Sequence, residues 1–200
     1  MELDTIKNFD LPRYLGKWYE IARFDFRFER GLSGVTAEYS MRRDGKVRVI
    51  NSGHAGAVDG RLIVAEGKAR QASPDDPQKP GFLKVSFFGP FYTPYYILAL
   101  GPDYDYALVG GRRRKYLWIL SRTPTLPRET IRLLVARAEE LGFDTSKLVF
   151  SAASCALGDS EKQAGCLNVS GSGSPPWAFE TICPPRAHLT RYRPVPRPSR

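Results

Sequence analysis

The residue types that most often carry catalysis or bind metals are scarce in this chain. His54 and His188 are its only two histidines, so neither a serine–histidine–aspartate triad nor a site of several histidines can be assembled. The segment Gly31-Leu32-Ser33-Gly34 lacks the last spacing of a nucleophile elbow, and no phosphate-binding glycine loop is present. The sequence therefore predicts no enzymatic activity and no metal or other cofactor.

The cysteines and the candidate buried acids add little chemistry. Cys155, Cys166 and Cys183 all lie in the last quarter of the chain. Their odd number and wide spacing argue against a structural zinc site, and one disulfide among them is compatible with the count but not favoured. Glu20 and Glu66 could lie in or near a folded interior; without a partner acid at a motif spacing, we interpret them as structural.

Composition describes a folded, basic protein. Of 200 residues, 42% are hydrophobic and 12% aromatic, and the net charge is +9. Such a charge favours anionic partners or belongs to a solvated surface. The basic residues are scattered or lie near the C-terminus, without interleaved aromatic side chains, so nucleic acid is not the expected partner.

The two ends of the sequence differ from its middle. No stretch of 18 apolar residues could form a membrane-spanning helix, and the opening segment MELDTIKNFD lacks the features of a signal peptide. As written, the chain is expected to stay in the cytoplasm. Residues 151–200 are rich in Ser, Gly and Pro, which predicts a disordered tail or a translation artefact such as a frameshift. Residues 1–150 form the predicted domain.

Short runs of alternating apolar and polar residues fill residues 18–122. Alternation of this kind is typical of half-buried strands, and turn signals such as Arg43-Asp44-Gly45 and Gly101-Pro102-Asp103 separate the runs. The predicted strands are 18–25, 35–42, 46–51, 62–71, 83–87, 95–100, 105–111 and 115–122. Eight antiparallel strands can close into a barrel without exposed edges, which holds either packed side chains or one small ligand.

One helix and a ninth strand follow the barrel. Residues 127–141 place Ile131, Leu134 and Ala138 on one stripe at helical spacing. Thr125 is the expected N-cap, Pro127 fits the first turn and Gly142 ends the helix, while 147–150 can pair with the barrel edge. The predicted fold is all-β: an eight-stranded antiparallel up-and-down β-barrel with one C-terminal α-helix packed outside, then the tail.

Three segments in the order of these elements resemble the motifs of the lipocalin family. They are Leu15-Gly16-Lys17-Trp18-Tyr19-Glu20 at the start of the first strand, Asp103-Tyr104-Asp105-Tyr106-Ala107, which precedes and enters the seventh, and Arg122 at the end of the eighth. The resemblance covers roughly residues 7–150. It is strongest to the group that contains bacterial outer-membrane lipoprotein lipocalins, apolipoprotein D and plant temperature-induced lipocalins.

The resemblance implies a barrel closed at one end by Gly16, Trp18 and Arg122, with the guanidinium stacked on the indole. It also implies a location at the outer membrane, in the periplasm or outside the cell, and some members of the family are homodimers. The chain departs from the family pattern in having no lipidated cysteine. It also has no cysteine within the barrel for disulfides or for a prostaglandin-synthase type of activity.

Strand parity and comparison with lipocalins predict the residues that line the ligand pocket. Most are apolar or aromatic, as in small-molecule sites generally. The predicted ligand-binding residues are Tyr39, Val49, Asn51, Val85, Phe87, Tyr96, Leu98, Val109, Trp118 and Leu120. A closed, filled core is the alternative that periodicity alone leaves open.

Arg112, Arg113 and Arg114 fall on the rim of the predicted open end. We expect them to attract the anionic head group of a ligand or an anionic membrane surface, the alternative being a merely solvated hairpin. The sequence thus predicts binding, and transport or storage, of a fatty acid or lysophospholipid, linked to membrane maintenance or stress. A lipocalin-fold protein that acts through protein or membrane contacts, or a lipocalin-type enzyme, is the alternative.

Overall fold

The computed structural model describes residues 3–27, 29–72 and 79–151. Of the predicted tail, residues 151–200, only Ser151 is described. The expectation of disorder and the three cysteines therefore fall outside the described residues. All statements about structure below concern the described part of the chain.

Consecutive antiparallel strands form the barrel, and the first strand pairs with both the second and the eighth, which closes it. A ninth strand pairs with the end of the first. The strands are β1 Gly16–Phe24, β2 Leu32–Met41, β3 Val47–Ala55, β4 Leu62–Gln71, β5 Phe82–Phe88, β6 Phe91–Leu100, β7 Tyr106–Gly111, β8 Leu117–Ser121 and β9 Leu148–Phe150. The predicted eight-stranded closed barrel with an added ninth strand is confirmed.

Two α-helices accompany the strands: α1, Leu11–Tyr14, which the sequence did not predict, and α2, Arg128–Glu140. The prediction of Thr125 as N-cap of α2 is wrong, because Pro127 occupies that position. The Thr125 carbonyl instead accepts a hydrogen bond of 2.6 Å from the Thr123 hydroxyl. Gly142 ends α2 as expected, at a φ of +79° that favours glycine.

Apolar side chains form two cores, one on each side of the barrel wall. Inside the barrel, Trp18 and Ile97 are fully buried. Outside it, Leu134 and Ala138 of α2 pack with Leu108 and other side chains on the outer face of the strands. Strands beneath α2 are therefore apolar on both faces, and alternation cannot show which face points inward.

This ambiguity makes the prediction for β6 wrong at two positions. Tyr96 and Leu98 lie in the outer core beneath α2 and not in the barrel. Tyr96 pairs with Phe82 across the strands, and their rings stack with centroids 4.7 Å apart. Because directly paired residues share a face, Tyr95, the partner of the interior residue Leu83, points inward instead.

Candidate ligand-binding cavity

The interior of the barrel holds a cavity of about 380 Å³, within the range of small-molecule sites. Its walls come from β2 to β6, from β8 and from the loop after β1, and they are mainly aliphatic and aromatic. The residues with polar aliphatic side chains that line it are Glu29, Asn51, Ser52 and Thr93. A cavity of this composition favours a largely apolar occupant.

The structure places most of the predicted pocket residues in the barrel. Those on the cavity wall are Tyr39, Val49, Asn51, Val85, Phe87 and Trp118. Val109 and Leu120 also belong to the interior core, where Val109 is fully buried and Leu120 lines a small adjoining pocket. Tyr96 and Leu98 are the two exceptions described above. Direct contact with a ligand stays a prediction for the other eight residues, which lie in the interior of the barrel.

Tyr39 and Tyr95 form the inner end, or floor, of the cavity, and Tyr14 of the interior core is hydrogen-bonded to Tyr95. The Tyr95 hydroxyl lies 2.8 Å from that of Tyr14 and 3.1 Å from that of Tyr39, so the three hydroxyls form one chain of hydrogen bonds. Burial raises the pKa of all three, that of Tyr39 to about 12. They therefore stay neutral, and the floor carries no charge.

Below this floor, Arg122 covers Trp18, with the guanidinium carbon 3.9 Å from the ring centroid. It also donates hydrogen bonds to the carbonyls of Arg13 at 2.8 Å, Lys17 at 2.9 Å and Tyr104 at 3.1 Å. Gly16 has a φ of +94°, and a Cβ there would lie 3.3 Å from Arg122 Nη1. The three motif residues thus close this end of the barrel together.

A buried ionic cluster lies in the wall between β1, β8 and the loop after β1. Arg23 pairs with Glu20, and its Nη2 donates to the Glu29 carbonyl at 2.8 Å. A bulge in the pairing of β1 with β8 lets Glu20 and Arg23, three residues apart, reach the same side of the strand. Trp118 Nε1 donates to Glu29 Oε2 at 3.2 Å.

The cluster holds one more carboxyl group than it has cations. Burial, and after it the neighbouring Glu20, raises the pKa of Glu29 from its ordinary 4.5 to about 8. Burial also raises the pKa of Glu20, against the opposing effect of Arg23. At neutral pH the cluster is therefore described by a protonated Glu29 beside the hydrogen-bonded Arg23–Glu20 pair.

The opposite end, the mouth of the barrel, carries exposed aromatic residues and arginines. Phe88 and Phe91 are 66% and 78% exposed at the cavity entrance. Arg112 and Arg113 are exposed in the turn between β7 and β8. Arg114 differs from the prediction: its Nε donates to the Leu141 carbonyl at 2.5 Å, so it binds the C-terminus of α2, where positive charge is favoured.

Several cavity residues escaped the sequence analysis. Phe26 and Glu29 lie in a loop, where strand parity says nothing about orientation. Tyr95 could have been found from its pairing with Leu83. Ala65 could have been found in the same way, because it pairs with Asn51 on the cavity wall.

Across the described ranges, no group of three or more His, Cys, Asp and Glu side chains is arranged to hold a metal ion. None of the described helices has the length and apolar character needed to cross a bilayer.

Comparisons with known proteins agree with this geometry. The family model described as a lipocalin-like domain matches residues 9–153. The outer membrane lipoprotein Blc of Escherichia coli (strain K12) is 52% identical over 146 residues, which are 73% of this chain and 80% of that protein. Temperature-induced lipocalin-1 of Arabidopsis thaliana is 38% identical over 159 residues, which are 74% of this chain and 81% of that protein.

A further relative and a solved structure support the same family. Apolipoprotein D of Rattus norvegicus is 40% identical over 137 residues, which are 64% of this chain and 68% of that protein. The crystal structure of insecticyanin from Manduca sexta superposes with a TM-score of 0.61 and 26% identity, over 78% of this chain and 88% of that one. With the closed barrel and the Gly16, Trp18 and Arg122 arrangement, these matches show that the chain belongs to the lipocalin family.

Proposed function

We propose that this lipocalin binds one fatty acid or lysophospholipid, with the acyl chain inside the barrel and the head group at the mouth. The observation that carries the proposal is the cavity of about 380 Å³ with mainly apolar walls and a floor of neutral tyrosines. Small hydrophobic ligands fit the family, and the acyl chain is the ligand class that this shape and charge distribution favour. Transport or storage of lipids for membrane maintenance is the proposed role.

Burial of the ligand's acyl chain in the cavity supplies the binding free energy. Each CH₂ removed from water contributes about 0.8 kcal/mol, so a dozen carbons contribute roughly 10 kcal/mol. Association and ordering cost several kcal/mol in return. The remainder, about 6 kcal/mol, corresponds to a dissociation constant in the range of tens of micromolar.

The charges decide the orientation of the ligand. Lysine, arginine and histidine are absent from the described residues that line the cavity, and Arg23 is already held by the buried cluster. A carboxylate or phosphate inside would lack a partner at a high desolvation cost. At the mouth, Arg112 and Arg113 and the surrounding water stabilise the anionic head group.

The relatives named for the outer membrane argue against the expectation of a cytoplasmic chain. We propose a location in the cell envelope and a binding role without catalysis. A second candidate function, contact with an anionic membrane surface at the mouth, is favoured by Phe88 and Phe91, which are 66% and 78% exposed at the same end of the barrel as the arginine turn. The two functions are compatible, because lipid exchange requires the mouth to meet a membrane.

The test of the acyl-chain proposal is a fluorescence titration with oleate and lysophosphatidate. Ala65→Trp places a large side chain on the cavity wall, where it occupies space that a ligand would need. The matched control Val64→Trp adds the same side chain to the outward face of β4, where Val64 is 56% exposed. We expect Ala65→Trp to weaken both ligands at least tenfold and Val64→Trp to change them little. Equal effects of the two variants would contradict binding inside the barrel.

The role of the mouth is tested by neutralising its two exposed arginines. The double variant Arg112→Ser/Arg113→Ser should weaken oleate binding and reduce its dependence on salt, while leaving a neutral long-chain alcohol unaffected. The control Arg128→Ser/Arg132→Ser removes the same charge from the exposed face of α2. If both double variants have the same effect, only the overall charge of the protein matters.

A further inference from the structure

A small side pocket of about 40 Å³ adjoins the cavity and shares part of its lining with it. The shared residues include Glu29, Tyr39, Asn51 and Trp118, whereas Glu20 and Leu120 are among the residues that line the side pocket alone. Space of this size holds a polar group of one or a few atoms, since a water molecule needs only about 10–15 Å³ by the same measure.

The polar atoms around the side pocket are not all satisfied by the protein. Asn51 Oδ1 is buried and has no hydrogen-bond partner. A buried acceptor left without a partner costs about 1–3 kcal/mol. The nearby Glu29 carboxyl accepts a hydrogen bond from Trp118 and lines both the side pocket and the main cavity. With a rotation of the Asn51 amide, which belongs to the lining of the side pocket, these groups can accept a hydrogen bond from an occupant.

Electrostatics narrow the choice of occupant to a neutral group. The one cation of the neighbouring cluster, Arg23, is engaged by Glu20 and by the Glu29 carbonyl. Two carboxyl groups, those of Glu20 and Glu29, face the side pocket, which disfavours an anion. Because burial holds the pKa of Glu29 at about 8, this carboxyl is protonated at neutral pH and can itself either donate or accept a hydrogen bond.

The depth of the side pocket places this group on the acyl chain and not at the ligand's head. Asn51 pairs with Ala37, two residues along β2 from Tyr39, which belongs to the floor. Leu32, at the other end of β2, lies five residues from Ala37 towards the mouth. A ligand whose head group stays beside Arg112 and Arg113 therefore reaches Asn51 with a part of its chain.

We propose that the side pocket binds a hydroxyl group carried on the acyl chain, so that this lipocalin prefers hydroxylated acyl chains to plain ones. This preference rests on the proposed binding of an acyl chain, and it specifies which acyl chains are bound most tightly. A site built to pair with a hydroxyl discriminates against the analogue that lacks it, because the buried polar groups are then left unpaired.

The test compares stearate with its 6-, 9- and 12-hydroxy derivatives in titrations of the full chain at neutral pH. A hydroxyl normally weakens transfer to an apolar site. We expect at least one isomer nevertheless to bind about tenfold more tightly than stearate, equivalent to about 1.4 kcal/mol. The isomers should differ from one another, because only one chain position reaches Asn51.

Three variants locate the preference. Asn51→Leu and Asn51→Val both remove the amide with different bulk, so at least one should fold, and each should bring the affinities for stearate and for the preferred hydroxystearate, compared within the same variant, to the same value. Thr93→Val removes a polar side chain that lines the main cavity but not the side pocket, and should leave the preference intact.

Two results overturn the proposal: no isomer binds more tightly than stearate, or the preference survives without Asn51. Failure of the proposed function looks different, because stearate itself would then not bind or would be insensitive to Ala65→Trp.

Discussion

Replacement of Arg122 by alanine tests how the closed end of the barrel is stabilised. The guanidinium donates three hydrogen bonds to carbonyls, at 2.8 to 3.1 Å, and stacks 3.9 Å above Trp18, which is fully buried. The stacking contributes about 0.5–2 kcal/mol. A charged hydrogen bond contributes about 1.5–3 kcal/mol when buried, and less here because two of the three are solvent-exposed. We expect a loss of about 3 kcal/mol in the free energy of unfolding.

The assay is urea unfolding followed by circular dichroism, supported by thermal melts, in which about 3 kcal/mol lowers Tm by roughly 6–12 °C for a chain of this size. Arg48→Ala is the matched control, because Arg48 pairs with Glu66 on the exposed surface of the barrel and such pairs contribute at most about 1 kcal/mol. Arg122→Lys should recover only part of the loss, since an ammonium lacks the planar fork. Equal destabilisation by Arg122→Ala and Arg48→Ala would refute the reasoning.

Three further predictions concern the barrel wall and the outer core. Glu29 has a folded pKa of about 8 against an ordinary 4.5, so the unfolded chain loses this proton first. Stability should therefore fall between about pH 5 and pH 8, and Glu29→Gln should flatten that slope in urea titrations. Gly67→Ala should destabilise by about 1–3 kcal/mol, because its Cβ would lie 2.7 Å from the Ser86 carbonyl oxygen and 2.8 Å from the Phe87 ring, and crystallography should show both the β5 backbone at Ser86 and the Phe87 ring displaced. Leu134→Ala should cost about 2–5 kcal/mol in thermal or urea unfolding without changing oleate affinity, because Leu134 packs outside the barrel.

The barrel could be predicted because each of its strands is recognisable from the residues within and beside it. Alternation and turn residues locate the eight barrel strands, and the tryptophan and arginine motifs indicate how one end closes. The cavity residues on β2, β3 and β5 followed from the same alternation, since these strands expose one face to solvent. Tyr39, Val49 and Val85 are examples.

The errors have identifiable physical causes. On β6, apolar residues at both parities serve two cores, and only the pairing of Phe82 with Tyr96 reveals the inward face. Glu29 lies in a loop, and Glu20 and Arg23 meet only because of a bulge, so local sequence gave no sign of the buried cluster. Arg114 does not lie on the rim as predicted, because its side chain donates a hydrogen bond to the Leu141 carbonyl at the C-terminus of α2.

The central claim is that one acyl chain occupies the barrel, and native mass spectrometry of the full chain tests it most directly. The protein is measured as purified, after delipidation, and after addition of oleate, alongside Ala65→Trp and Val64→Trp. We predict a single added oleate per chain for the wild type and for Val64→Trp, and none for Ala65→Trp. No uptake, or uptake of several oleates that Ala65→Trp does not reduce, would contradict binding in the cavity.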